Sequence, residues 1–221
     1  MLEAIKNTIL FISALLPIVN PLGGVPVFLL LTPDTTTETR TLLARKVAVN
    51  SFVLLIVSFL VGTHILGFFG ISLPVVQVGG GLVVIATGWT MLNQKQEDSS
   101  KAEPHKDVQG RDIMERAFYP LTLPLTVGPG SISIAITLGA NAHRHPGLNL
   151  PLVIPGLVGS VLLAVSVFLC YGYAERLARL VGPTGMSVIL RLSSFLLVCI
   201  GVQIMWNGAS TLLASVPFQA R

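Results

Sequence analysis

Two short clusters hold the residues with the most chemistry to offer: Asn20-Pro21-Leu22-Gly23-Gly24 and Thr126-Val127-Gly128-Pro129-Gly130-Ser131. Each combines a proline, which has no amide donor and clashes with the carbonyl one turn back, with glycines that leave the backbone open and with small neutral polar side chains. Inside a helix such a cluster unwinds the chain and frees backbone groups on both sides of the break. The amide ends near Gly23-Gly24 and Gly130-Ser131 then favour an anionic group, and the carbonyl ends around Val19 and Thr126 favour a cation or an ammonium. Asn20, Thr126 and Ser131 add neutral hydrogen bonds. The chemistry expected is non-covalent capture of a small zwitterion, such as an amino acid.

Covalent chemistry has little support. Gly130-Ser131-Ile132-Ser133 could be imagined as a nucleophile loop, but the sequence has no HExxH motif, no paired carboxylates and no second histidine placed to serve it. No enzyme, metal or cofactor is expected, and phosphate-loop and nucleic-acid motifs are absent.

The elements that must position these clusters follow from composition. Of 221 residues, 52% are hydrophobic and 11% charged, with mean hydropathy +0.78, where an average soluble domain carries about 25% charged residues. This excludes a water-soluble globule, a disordered chain and, with two cysteines, a disulfide-stapled module. Lys, Arg, Asp and Glu are missing from 7–33, 47–94, 117–143, 145–174 and 192–220. A crossing needs roughly 20 apolar residues, so 47–94 holds two spans and the others one each. Six transmembrane helices are expected near 6–31, 47–69, 73–92, 117–140, 150–173 and 187–211. The fold class is an all-α, multi-pass membrane protein.

Charge placement orients it. Loops 1–2, 3–4 and 5–6 with their helix ends hold eleven Lys and Arg, against Lys6, Arg144 and Arg221 on the other side. The positive-inside bias puts both termini outside, which in a bacterial inner membrane is the periplasm. The stretch 93–116, with eleven charges of both signs, reads as a cytoplasmic linker between 1–92 and 117–221.

Three helices per half make the second half enter the membrane upside down relative to the first. The halves share a pattern: the two proline-glycine clusters lie in helices 1 and 4, while Gln77 to Asn93 in helix 3 matches Arg191 to Asn207 in helix 6. The expected architecture is two inverted three-helix repeats with helices 1 and 4 discontinuous. A single proline kink is ordinary packing geometry. Two at corresponding places in inverted halves point to a shared site built from Asn20, Pro21, Gly23, Gly24, Thr126, Gly128, Pro129, Gly130 and Ser131, because unwound backbone at that depth must be buried or line a cavity.

Arg191, the one formal charge inside an expected span, together with Gln77 and Gln203, forms a candidate gate or polar network, although snorkelling explains Arg191 equally well and such glutamines more often bond across helices than touch a solute. Gly79-Gly80-Gly81 and the ladder Gly156, Ser160, Ala164 read as packing surfaces. Expected partners are a small solute and the lipid bilayer, with no nucleic acid and with room for a homo-oligomer.

At Asn20-Pro21-Leu22-Gly23, Gly70-Ile71-Ser72-Leu73-Pro74, Pro120-Leu121-Thr122-Leu123-Pro124 with Gly128-Pro129-Gly130, and Arg191 through Gln203 to Asn207-Gly208, the chain resembles the MarC family of inner-membrane proteins over essentially its whole length. The resemblance implies six helices with both ends periplasmic, a place in the wider LysE-type transporter superfamily, and kinship to SnatA-like carriers of glycine and other small neutral amino acids. The function expected is transport or export of small polar solutes, neutral amino acids foremost. The alternative is an integral membrane scaffold or stress-response protein that moves nothing.

Overall fold

The computed structural model describes residues 2–33, 35–93, 115–142 and 150–215. Most of the linker expected at 93–116 lies outside them. The described residues form eight helical segments: α1 (Leu2–Val19), α2 (Pro21–Leu30), α3 (Thr37–Phe68), α4 (Leu73–Asn93), α5 (Ala117–Thr126), α6 (Pro129–Ala142), α7 (Leu150–Gly172) and α8 (Ala174–Ser215). By length and apolarity five spans can cross a membrane, α1 and α2 together counting as one, and a sixth comes from α5 and α6 as one bent span. The six expected spans are therefore all present. Two are longer than expected: α3 begins ten residues earlier, and α8 runs back to Ala174.

Local chemistry explains these ends. Thr36 caps α3, its side-chain oxygen accepting from the Thr39 amide at 3.2 Å, so the helix starts in the polar segment and carries Arg40, Arg45 and Lys46 up to the apolar run. At its far end Gly70 takes φ 67°, and the Ile71 and Gly70 amides return to the carbonyls of Leu66 and Gly67. That pairing closes the helix, and the positive φ needs glycine. In α8 a second left-handed glycine, Gly182 at φ 72°, breaks the helix just before Pro183.

Burial is arranged for lipid. On α3 the residues Val49, Val53, Val57, Val61 and Ile65, four apart, are all exposed, whereas Leu43, Val47, Leu55 and Phe59 are buried. In water such an exposed apolar stripe would aggregate; in hydrocarbon it meets its own kind. Inside, one core gathers Val25, Phe28, Leu43, Val47, Leu121 and Tyr171. A second gathers Phe11, Leu15, Leu55, Phe59, Val127 and Leu163.

The most intimate contact joins α4 to α8. Methyls added at Gly81 or Gly88 would lie 2.7 and 2.8 Å from the backbone oxygens of Gly201 and Ser194, and one at Gly208 would meet the Pro74 oxygen. Pro74, Gly81 and Gly88 recur every seven residues, as do Ser194, Gly201 and Gly208. As α4 advances its partner recedes, so the two helices run antiparallel along a seam of small residues with the heptad spacing of a left-handed crossing. This seam relates α4 to α8 at an offset of 120 residues, six more than the match of Gln77 with Arg191 gives. Of Gly79-Gly80-Gly81, the packing role fits Gly80, set against Ser133 of α6, and Gly81, but not Gly79, where an added methyl would meet nothing within 4 Å; Gly156 of α7 packs against the Phe59 ring.

Candidate functional site

The first break is one residue wide. Pro21 brings no N–H, so the carbonyl of Pro17 loses its helical donor. Asn20 turns into the left-handed region, φ 44° and ψ 56°, a conformation that asparagine tolerates better than most residues. From there its Oδ1 accepts from the Gly23 amide at 3.1 Å, capping α2. The Asn20 amide still donates to Leu16 and the Gly24 amide to the Asn20 carbonyl, at 2.8 and 3.0 Å. The hydrogen-bonded chain thus passes through the break, and α1 and α2 stay close enough to collinear to count as one 28-residue span.

The second break is longer and begins earlier than expected. In α5, wound as a π-helix, Tyr119 and Leu123 have extended backbone, ψ 124° and 126°. Each precedes a proline, and the proline ring denies the preceding residue the helical region. Thr122 and Thr126 patch the widened turns by donating to the carbonyls five residues back, Ala117 at 2.6 Å and Leu121 at 2.7 Å. Val127 is extended, α6 opens at Pro129, and the two halves meet at 69°.

These breaks meet at a cavity of about 40 Å³. Ile18, Val19, Asn20 and Gly24 line it from the first break, and Pro124 to Thr126 with Gly128 to Ser131 from the second. Val83, Val84, Thr87 and Met91 of α4 and Leu197 of α8 complete the wall. Since one water needs about 10–15 Å³ on this measure, the space suits a solute of a few heavy atoms.

Its polar equipment is sparse and specific. The Asn20 Nδ2 is buried and has no hydrogen-bond partner among the described residues, a costly state for an amide donor. The amides of Gly130 and Ser131, in the first turn of α6, carry no hydrogen bond among the described residues. The Ser131 hydroxyl is turned back to the Gly128 carbonyl at 3.0 Å. Because Gly23 donates to Asn20, the Val19 carbonyl loses its helical partner.

Of the nine residues expected here, seven line the cavity. Pro21 and Gly23 stand behind it, Gly23 against the Asn20 side chain. The expectation of open amides at Gly23-Gly24 is corrected: both are taken by Asn20, and the first break offers a side-chain donor instead. Gly130 exposes its backbone, but its missing side chain points at Val84. The candidate gate is not assembled: Gln77 donates to Thr137 at 3.4 Å, Gln203 bonds Asn207 on its own helix at 2.9 Å, Arg191 is exposed, and none of the three reaches the cavity.

Tyr171 and Arg40 were not singled out by sequence reasoning. Tyr171 is fully buried, stacks on Phe28 with ring centres 4.5 Å apart, and shares a 3.1 Å hydrogen bond with Thr126. A methyl at Gly24 would run into its hydroxyl, so Tyr171 braces both breaks from behind. A lone tyrosine inside an apolar span needs a partner for its hydroxyl, and that is the signal that finds it. Arg40, buried, donates to the Thr32 carbonyl at 2.7 Å and pairs with Glu175, so it ties the end of α2 to the start of α8.

Helices long enough to cross a membrane six times, two of them broken around one small cavity, define a polytopic helical membrane protein. The chain belongs to the MarC family of integral membrane proteins, whose family model matches residues 5–213. It is 36% identical over 216 residues to the UPF0056 inner membrane protein MarC of Salmonella typhimurium, covering 94% of this chain and 96% of the relative. The proteins of the same name from Citrobacter koseri and Escherichia coli are 37% and 34% identical over the same shares of each chain. No solved structure matches significantly. It is a multi-pass inner-membrane protein.

Proposed function

We propose that the chain carries small polar solutes across the inner membrane, neutral amino acids foremost, with the cavity between the two breaks as its binding site. The observation behind this reading is that one cavity is lined both by Asn20, whose buried Nδ2 has no partner, and by Gly130 and Ser131, whose first-turn amides are unbonded. Donors without a fixed acceptor on residues of one cavity wall suit a carboxylate, and the α6 dipole adds to them. The Val19 carbonyl suits an ammonium. No Asp or Glu lies in the charge-free runs that supply the cavity wall, so a zwitterion is favoured over a net cation.

The antiparallel seam of α4 and α8, with glycine heptads on both helices, supports an inverted relation between 1–92 and 117–221, and the positive-inside bias supports termini on the periplasmic side. Inverted halves that share one central site can expose it alternately to the two sides. Cysteine labelling at Ser100 and Arg221 checks the topology: in intact cells position 221 reacts with an impermeant reagent and position 100 does not.

The deciding experiment is uptake and counterflow of labelled glycine, alanine and serine in proteoliposomes holding the purified protein, with and without sodium and pH gradients. Transport that is lost in Asn20→Ala is the expected result. Transport that survives this change keeps the function and refutes the site. No movement of any solute, together with no solute-dependent rise in thermal stability, returns the protein to the scaffold reading.

A further inference from the structure

The central cavity is walled unequally on its two sides. On α4, Gly80 lies against Ser133 and Val84 against Gly130, so α6 covers this face of α4 that far. Thr87, one turn nearer the end of α4 at Asn93, lines the cavity yet is exposed, as is Val83 beside it. The cause is the 69° bend: α6 begins only at Pro129, and α5 is carried off its axis onto α3 and scarcely touches α4. Pro124 and Pro129, which line the cavity from the second break, are exposed as well. The opposite side is closed. Ile18, Val84, Leu197 and Ile204 are buried in one apolar cluster that Ile134 and Ile200 complete. Three of these belong to the cavity wall, and Ile204, seven residues past Leu197 on α8, stands about 10 Å further toward the side of the termini by helical rise. The first break is nearly straight, so α1 keeps Ile18 in this cluster.

We propose that the solute's route out of the cavity runs to the linker side, between the end of α4 and the start of α5, held open by the 69° bend while the apolar cluster closes the opposite side. This rests on the transport reading and adds to it which way the site faces and which residues line its exit. From Thr87 to the end of α4 the exposed side chains Thr90 and Asn93 follow three residues apart, polar where the lipid-facing stripe of α3 is valine and isoleucine. Such a track suits a route to water rather than to hydrocarbon. Inverted halves with one break bent and the other nearly straight are unequal in the way that a carrier open to one side requires. Opening to the other side then calls for α1 to swing at Asn20 and withdraw Ile18 from its cluster, while α5 closes onto Thr87.

The test is thiol labelling of Thr87→Cys in the full-length chain, with its own free cysteines removed as Cys170→Ala and Cys199→Ala, in right-side-out and inverted membrane vesicles without added solute. A membrane-impermeant maleimide is expected to label position 87 from the linker side and not from the side of the termini. Ile204→Cys, in the closed cluster, is expected to stay unlabelled from both. If Thr87→Cys does not insert, Val83→Cys, exposed at the same opening, takes its place. Labelling of position 87 from the side of the termini overturns the route, and so does labelling of Ile204→Cys from that side. Labelling of position 87 by a membrane-permeant maleimide alone, or by neither reagent, overturns it too. Because the assay needs no solute, its failure is distinct from failure of the transport reading. Solute movement with an unlabelled position 87 keeps the carrier and loses this route, whereas labelling without solute movement in proteoliposomes keeps the opening and loses the carrier.

Discussion

The break at Asn20 and the break between Tyr119 and Pro129 interrupt their helices by different means. At the first, one left-handed asparagine accepts the angular change, its own side chain caps the new helix, and backbone bonds run through on both sides. At the second, two residues ahead of prolines become extended, threonine hydroxyls bridge the opened turns, and the axis swings by 69°. The first break spends a side chain on the Gly23 amide and leaves the Pro17 and Val19 carbonyls without their helical donors, whereas the second leaves backbone amides bare at Gly130 and Ser131. Similar sequence clusters in two halves need not give similar geometry. Here one break leaves a side-chain amide without a partner and the other leaves main-chain amides bare, on residues that line the same cavity.

If Tyr171 is the brace that holds this difference in place, the largest effect comes from adding bulk between it and the first break. Gly24→Ala puts a methyl onto a hydroxyl that is fully buried, stacked on Phe28 and bonded to Thr126. Overpacking of this kind costs about 2–3 kcal/mol. At the second break Gly128→Ala meets only the Pro124 carbonyl, at 3.2 Å, and is expected to cost less than about 1 kcal/mol. Thermal unfolding in detergent measures both, and Tyr171→Phe in the Gly24→Ala background should recover part of the loss. A larger loss at Gly128 than at Gly24 would show that the second break is the tighter of the two.

Asn20 separates backbone from ligand roles at the first break. Asn20→Ala loses the cap, and its Cβ stays in a left-handed conformation that no longer has a side-chain amide to favour it, for a combined cost of about 2 kcal/mol. Asn20→Gly keeps the conformation and is expected to cost under about 1 kcal/mol. Both remove Nδ2, so both should lose solute-dependent thermal stabilisation. A glycine variant that keeps that stabilisation makes Asn20 a structural residue alone.

Much of this was legible in the sequence because membrane burial demands long charge-free runs and because proline has fixed geometric consequences. The six spans and the two clusters follow from those facts, and seven of the nine expected residues line the cavity. Other features depend on which surfaces meet. The breaks at Tyr119 and Leu123 lie outside the proline-glycine clusters and are marked only by the proline that follows each. That Asn20 would consume the amides of its own helix depends on a left-handed φ that no spacing announces. Gln77 shares the α4 face of Val84 and Met91 but stands about two turns short of the cavity, while Arg191 and Gln203, six residues to either side of Leu197, are rotated about 120° away from it, and only packing fixes that depth and rotation.

The smallest effect tests whether the two breaks are coupled. Thr126 belongs to the second break, Tyr171 to α7, and Tyr171 stands against Gly24 of the first, so their 3.1 Å hydrogen bond is a link by which movement at one break reaches the other. Thr126 also donates to Leu121 at 2.7 Å, which leaves its oxygen free to accept from the tyrosine. Tyr171→Phe and Thr126→Ser are therefore expected to cost about 1 kcal/mol or less each, the serine keeping both bonds and losing only a methyl. Thr126→Val removes the bond from the other side and also frees the Leu121 carbonyl, so it should cost more than Thr126→Ser. In a double-mutant cycle Tyr171→Phe and Thr126→Val should be non-additive by about 0.5–1 kcal/mol. Additivity would mean that the breaks stand side by side without sensing each other, and that any opening of the cavity is driven from α5 and α6 alone.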